Sequence, residues 1–114
     1  MNEGEMDSRL RRLAENETLF REINERRRTS AVDVWAHQHT YSFYCECSDR
    51  GCEQGLALTE TEYELVRSQP TWFLVAPGHE SPEIERVVEH HAQFEIVEMR
   101  DEAARLAEQW DPRR

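Results

Sequence analysis

Three cysteines lie close together in the middle of the chain, at Cys45, Cys47 and Cys52. Their spacing is Cys-x-Cys-x4-Cys, and Gly51 gives the chain room to turn so that the third sulfur can join the first two. If Cys45 and Cys47 lie on an extended strand, both side chains point to the same side. Clustered thiolates are typical zinc ligands, although Cys-x2-Cys is the commoner spacing. The pattern therefore predicts a structural zinc site.

A tetrahedral zinc site needs a fourth ligand besides three thiolates. We expect His79, because it follows Pro77-Gly78 at the end of the most apolar segment. A loop side chain at that place can reach the end of a neighbouring strand. A water molecule would instead leave the site open and potentially catalytic. The other protein candidates for the fourth position are His37, His39 and Asp49.

The sequence also allows roles other than zinc binding for the three cysteines. They can be reduced structural thiols, or they can form a disulfide or redox switch. A disulfide would leave one thiol over, and a Cys45–Cys47 bridge within a strand would need a Cα separation near the upper limit of about 6.8 Å. An iron–sulfur cluster is disfavoured because its usual ligands are four cysteines.

Two further patterns resemble parts of catalytic sites. His79-Glu80 resembles the start of the zinc-protease motif His-Glu-x-x-His, but the second histidine is missing and Pro82 argues against the required helix. A nucleophile made of Cys52 and His79 lacks any marked third group that would orient it. His90-His91 is expected to be an exposed turn. No catalytic residue is predicted.

The composition limits the class of protein. The 114 residues carry a formal net charge of −10, and only 38% are hydrophobic. Fourteen arginines and no lysine supply all the basic side chains. An acidic protein repels phosphate backbones, so the composition disfavours nucleic-acid binding. No signal-peptide pattern and no apolar run of about 18 residues is present, which predicts a cytoplasmic protein without a membrane span. Thiols stay reduced in the cytoplasm, and a thin core is often stabilised by a metal.

The hydrophobic pattern predicts one α+β domain over residues 1–114, with a small mixed or antiparallel sheet of about three to four strands. It begins with an amphipathic helix over 7–28 and a linker over 29–40. The zinc-stabilised body, 41–114, starts with a strand over 41–47 and a loop over 48–55. A short middle helix starts at the N-cap Thr59, with Glu62 in capping-box position, and stops before Pro70.

The remaining elements follow from composition and turn residues. Residues 72–76 are the most apolar run and are predicted to be the central strand. Residues 84–89 and 94–99 favour two strands around a hairpin loop at 90–93, although Ser81-Pro82 could also begin a short helix. Asp101 is expected to cap a C-terminal helix that runs to about Gln109.

The predicted N-terminal helix has two possible roles. Glu17 and Asn24 fall within its apolar stripe, which makes the stripe narrow. The helix can dock on its own domain or recruit a protein partner. The run from Arg26 to Arg28 is read as a solvated helix end. The residues of the stripe are Met6, Leu10, Leu13, Leu19, Phe20 and Ile23.

Several segments together resemble a group of small proteins of high-GC actinobacteria. The resemblance covers nearly the whole chain apart from 29–40, and it implies an architecture and a metal site but no activity. The three cysteines and the Pro77-Gly78-His79-Glu80 segment belong to the shared pattern, which is a second reason for choosing His79. Arg100 departs from it, because such sequences usually carry lysine near this position. The other shared segments are 16–17, 19–26, 58–59, 62–67, 73–75, 85–89 and 111–113.

These observations predict a zinc-binding, non-enzymatic domain that binds or regulates a partner, with metal ligands Cys45, Cys47, Cys52 and His79. The alternative is a small metalloenzyme or thiol-redox protein that uses the same cysteines. A closed site with four protein ligands would favour the first function. An exchangeable water or an exposed, acidic thiol would favour the second.

Overall fold

A computed structural model describes residues 8–31 and 40–113, together with the side chains outside 27–31. The predicted α+β class is confirmed, and the described residues form two small antiparallel sheets with strand orders β1-β2 and β3-β5-β4. The elements are α1 (Ser8–Ala31), β1 (Thr40–Tyr44), β2 (Gly55–Thr59), α2 (Glu60–Arg67), β3 (Trp72–Val75), β4 (Glu85–His90), β5 (Glu95–Met99) and α3 (Asp101–Gln109). Residues 29–31 of the predicted linker continue α1, and 32–39, with His37 and His39, lie outside the described residues.

The first sheet is a hairpin with a ten-residue loop, 45–54, that contains all three cysteines. The predicted strand 41–47 is too long, because β1 ends at Tyr44. Cys45 still donates its backbone N–H to Gln54, at 3.0 Å, but Glu46 donates its N–H to Leu74 of β3, at 2.6 Å. The chain therefore leaves one sheet and joins the edge of the other within two residues.

The most apolar strand lies at an edge of its sheet and not in the centre, so that prediction is wrong. β5 is the central strand, and it pairs with β3 on one side and β4 on the other. Phe73, Leu74 and Val75 are nevertheless fully buried. The reason is that the cysteine loop covers the outer edge of β3, through its contacts with Leu74 and Ala76.

The middle helix has the predicted capping box. Glu62 donates its backbone N–H to the Thr59 hydroxyl at 3.1 Å, and the Glu62 carboxylate accepts from the Thr59 N–H at 2.8 Å. α2 ends at Arg67, before Pro70, as expected. Tyr63 of this helix stacks on Phe43 of β1 with ring centroids 4.3 Å apart, which joins the helix to the hairpin.

The hairpin of β4 and β5 confirms the prediction of two strands around a turn, and the alternative of a helix after Ser81-Pro82 is wrong. The C-terminal helix ends at Gln109 as predicted. Its N-cap position is held by Arg100, however, and the Arg100 side chain makes no capping bond. Asp101 is the first helical residue and has a φ of 55°, a left-handed conformation that aspartate tolerates better than most residues.

The N-terminal helix packs on β1 and α3 of its own chain. Its inner face is largely polar, and this differs from the predicted apolar stripe. Glu17, Arg21 and Asn24 are fully buried, whereas Leu19 is 37% exposed and points away from the body. A face of this kind cannot be held by the hydrophobic effect alone, so its polar groups need specific partners.

Specific hydrogen bonds provide most of those partners. The Asn24 amide donates to the Tyr44 carbonyl and accepts from the Tyr44 N–H, both at 2.8 Å, in the manner of a neighbouring strand. Arg21 donates to the carbonyls of Pro70 and Ala107, and its guanidinium lies 4.3 Å from the centre of the Phe73 ring. These bonds therefore hold α1 against β1, against the segment before β3 and against α3.

Within residues 8–31 and 40–113, no helix has the length and hydrophobicity that crossing a bilayer requires.

Candidate metal centre

The hairpin loop brings the three cysteine sulfurs together. Asp49 closes a tight turn inside the loop: its side chain accepts from the Gly51 N–H at 2.9 Å, and its carbonyl accepts from the Cys52 N–H at 3.0 Å. This turn returns Cys52 toward Cys45 and Cys47. Gly51 itself has no left-handed conformation, and a Cβ atom there would make an ordinary 3.4 Å contact with Asp49. The aspartate thus does more to form the turn than the predicted glycine.

His79 comes to the same place from the loop between β3 and β4. Its backbone N–H donates to the Ala76 carbonyl at 2.9 Å, which closes a turn just after β3. Gly78 in this turn has a φ of 85°, a conformation that residues with a Cβ rarely adopt. The Pro-Gly pair therefore aims the imidazole back at the cysteine loop.

The four side chains form a metal-binding geometry. One ligand atom from each of Cys45, Cys47, Cys52 and His79 lies within 4.8 Å of all the others. The Nδ1 atom of His79 is 3.6 Å from the Cys45 sulfur and 3.7 Å from the Cys52 sulfur. Tetrahedral zinc with ordinary bond lengths would place sulfur and nitrogen about 3.6 Å apart. The two distances from His79 to the sulfurs thus fit a zinc ion.

The surroundings of the sulfurs also suit a metal. Cys45 and Cys47 are 1% and 2% exposed, whereas Cys52 and His79 are half-buried. The Ala76 N–H donates to the Cys45 sulfur at 3.1 Å, a contact that stabilises negative charge on the thiolate. A hydrogen bond from Cys45 lowers the pKa of Cys47 to about 5, and the same contact, followed by burial, raises the pKa of Cys45. A bound divalent metal would require all three sulfurs as thiolates.

Other candidate residues lie elsewhere. Asp49 uses its carboxylate for the Gly51 turn and is not in the metal-binding group. His90 pairs with Glu95 at 2.8 Å and His91 with Glu89 at 2.9 Å, so both belong to the β4–β5 hairpin. In the part of the chain that the structure describes, the cysteines form no disulfide. His37 and His39, the other two candidates for the fourth ligand, fall outside the described residues.

Sequence reasoning missed one residue that supports the site. Glu46 is fully buried between two ligands, and its carboxylate accepts from the Leu74 N–H at 2.9 Å and from the Asn24 amide at 2.8 Å. Glu46 faces the outer edge of β3, where its carboxylate meets the Leu74 N–H, and the Cys45 sulfur meets the Ala76 N–H two residues further along the same edge. The sequence carries no signal that marks a glutamate between two cysteines as buried.

The chain was compared with known protein families, sequences and structures. No family model, no curated protein sequence and no solved structure matches this chain. The resemblance to actinobacterial proteins is thus neither supported nor contradicted, and it stays a prediction. The function has to be argued from the site itself.

Proposed function

We propose that the protein is a cytoplasmic, zinc-stabilised, non-enzymatic domain that binds or regulates a protein partner. The observation that carries this proposal is the closed set of four protein ligands, three sulfurs and one imidazole nitrogen, from two loops. Structural zinc sites have four protein ligands, whereas catalytic ones keep a position for water. The metal would join the β1–β2 hairpin to the turn after β3 and so stabilise a chain with few hydrophobic residues.

The identity of the metal is proposed from the donor atoms. Thiolates are soft ligands, and a Cys3His set is typical of zinc. The spacing between Nδ1 of His79 and the two nearest sulfurs agrees with a tetrahedral ion of this size. Zinc has no redox chemistry in proteins, which agrees with a structural role.

The alternative function, a metalloenzyme or thiol-redox protein, has one observation in its favour. The pKa of Cys47 is lowered to about 5, as in reactive cysteines. Reactive thiols are also accessible, however, and Cys47 is only 2% exposed. The burial of the thiolate supports metal binding more than attack on a substrate.

The test of the metal site is the zinc content of protein purified without chelators. We expect about one zinc per chain, with an X-ray absorption spectrum that fits three sulfurs at about 2.3 Å and one nitrogen at about 2.0 Å. Cys47→Ala should lose the metal and much of the thermal stability. Glu53→Ala, an exposed change in the same loop, should keep both. A metal-free wild-type protein would refute the zinc site, and a bound water in place of nitrogen would favour the enzyme.

The outer face of α1 is our proposed contact for the partner. Leu19 is 37% exposed and borders a cavity of about 380 Å³ that Trp110 and Glu22 also line. Leu19→Asp should therefore reduce co-purification of a specific partner while leaving the zinc content and melting temperature unchanged. If the partner co-purifies equally with this variant and with the wild type, Leu19 is not part of the contact.

A further inference from the structure

A buried asparagine of α1 bonds the chain on both sides of a candidate metal ligand. The Asn24 amide nitrogen donates to the Tyr44 carbonyl and to the Glu46 carboxylate, both at 2.8 Å, and the amide oxygen accepts from the Tyr44 N–H at 2.8 Å. A reversed amide would place its oxygen against those two acceptors, so the hydrogen bonds fix the orientation of the group. Asn24 is fully buried, and Cys45 lies between the two residues that it bonds.

A second asparagine of the same helix bonds the loop just beyond the next cysteine. The Asn16 amide donates to the carbonyl of Ser48, the residue after Cys47, at 2.7 Å. The Ser48 hydroxyl in turn lies 2.6 Å from the hydroxyl of Ser81, two residues after His79. The contact of Asn16 with the cysteine loop therefore continues, through a single residue, to the loop that carries the imidazole.

The two asparagines match this part of the loop in length. Asn16, Phe20 and Asn24 are four residues apart and so lie in one row along the helix. Eight helical residues rise about 12 Å at 1.5 Å each. Four extended residues, as from Tyr44 to Ser48, span about 13 Å. The buried Phe20 ring, in the middle of the row, lies 6.3 Å from the Tyr44 ring. One row of α1 thus runs alongside the segment that holds two of the four candidate ligands.

This segment depends on groups from outside its own hairpin. The regular pairing of β1 ends at Tyr44, one residue before the first cysteine. Beyond that point, the backbone of the loop needs other elements to hold its shape. Groups that orient metal ligands without binding the metal commonly determine how tightly a site binds.

We propose that Asn16 and Asn24 are positioning residues of the metal centre, which hold the cysteine loop in the shape that binds zinc. This role rests on the proposed zinc site, and it extends that site to α1, although neither asparagine belongs to the ligand group. By linkage, a contact that favours the metal-binding shape is itself favoured when the metal is bound. Zinc binding therefore tightens the docking of α1, and removal of zinc loosens it.

The first experiment measures the zinc affinity of the full chain by competition with a chromophoric chelator. We expect Asn16→Asp and Asn24→Ala each to bind zinc about 10- to 100-fold more weakly than the wild type, as is typical of residues that orient metal ligands. Asn16→Asp keeps the shape of the side chain but removes the donor. Thr18→Val is the control on the same helix, because the buried Thr18 hydroxyl donates to the Glu15 carbonyl within α1. It should keep the wild-type zinc affinity.

A second control separates positioning from a general loss of stability. Leu106→Ala in α3 removes part of a side chain that is 5% exposed, so it should lower the melting temperature. Its zinc affinity should nevertheless equal that of the wild type. An equal loss of zinc affinity in Leu106→Ala and in the asparagine variants would overturn the positioning role. If Asn24→Ala does not fold, Asn16→Asp decides the question, since Asn16 is only half-buried.

Hydrogen exchange with and without zinc measures the reciprocal effect on the helix. Zinc should slow exchange in α1 of the wild type more than in α3, and this difference should be smaller in Asn16→Asp. Equal responses of α1 and α3 to zinc would overturn the coupling.

The outcomes also separate this role from the proposed zinc site. A wild type that binds no zinc would refute both. If the wild type binds zinc and the asparagine variants bind it with the same affinity, the zinc site stands and the positioning role is refuted.

Discussion

Glu46 uses both its backbone and its side chain to pair with Leu74. Its N–H donates to the Leu74 carbonyl at 2.6 Å, and its carboxylate accepts from the Leu74 N–H at 2.9 Å. The two bonds satisfy the outer edge of β3, which would otherwise be an unpaired strand edge in the interior. A single residue between two candidate metal ligands thus joins the two sheets.

This relationship predicts graded effects of substitution at Glu46. Glu46→Ala leaves the buried Leu74 N–H and the Asn24 amide without acceptors, and should lower the free energy of unfolding by about 3 kcal/mol. Glu46→Gln can still accept from Leu74 but places an amide donor against the Asn24 donor, so a loss of about 1 kcal/mol is expected. Urea unfolding of the zinc-loaded proteins measures both, with Glu53→Ala as the exposed control. Equal stability of Glu46→Ala and Glu53→Ala would contradict the pairing.

His79→Ala should weaken zinc binding strongly. Loss of a residue that merely orients a ligand typically costs about 10- to 100-fold in affinity, and loss of the ligand itself should cost more. Competition with a chromophoric chelator measures the difference. His90→Ala is the matched control, because His90 is exposed and pairs with Glu95 on the other hairpin. An unchanged zinc affinity in His79→Ala would show that His79 is not a metal ligand.

Gly78→Ala tests how the turn after β3 aims His79. The added methyl group has no neighbour within 4 Å, so the cost comes only from the positive φ of 85°. We expect a loss of about 1 kcal/mol in unfolding free energy together with weaker zinc binding. Gly51→Ala lacks that backbone strain and should behave like the wild type. If both alanine variants lose the same stability, the turn geometry is not the cause.

The environment of Glu25 predicts that the protein loses stability in acid. Burial alone would raise its pKa, but hydrogen bonds from Arg113 and Tyr63 outweigh burial, and the pKa of Glu25 is lowered. Tyr63 donates to it at 2.8 Å and Arg113 at 3.0 Å. Its contribution is therefore present above the unfolded glutamate pKa of about 4.3 and is lost as the pH falls through the lower folded value.

The measurement for Glu25 is the difference in unfolding free energy between wild type and Glu25→Gln as a function of pH. We expect a constant advantage of the wild type near neutrality that disappears in acid. Glu22→Gln, on the exposed side of the same helix, should show no such change. A wild-type advantage that persists in strong acid would mean that the charge of Glu25 is not what stabilises the C-terminal segment.

Local patterns explain what the sequence predicted well. The capping box needs only Thr59 and Glu62, three residues apart, and α2 forms where it predicts. The three cysteines converge because a short loop holds them, and the sequence shows that loop directly. The place of His79 depends on where β3 ends relative to the cysteine loop, and the Pro77-Gly78 turn before it is the local signal for it.

Long-range contacts explain the failures. β2 was missed because Gly55–Thr59 lies between a loop and a helix cap, and its alternation of Leu56 and Leu58 is short. The sequence predicts β3 in the centre because burial by a loop and burial by a strand give the same apolar sequence. The inner face of α1 differs from the predicted apolar stripe because the partners of Arg21 are distant backbone carbonyls. No helical periodicity in the sequence reveals such partners.

The order of the four ligands along the chain has a consequence for assembly. Three of them lie within eight residues, inside one hairpin loop, whereas His79 follows Cys52 by 27 residues. Closing the short loop is fast, and closing the longer one carries a greater entropic cost. A nascent chain that has formed only the β1–β2 hairpin already presents three sulfurs to the cell's metal supply. Capture of the ion can then precede the second sheet, and arrival of the imidazole would mark the moment at which the two sheets become one body.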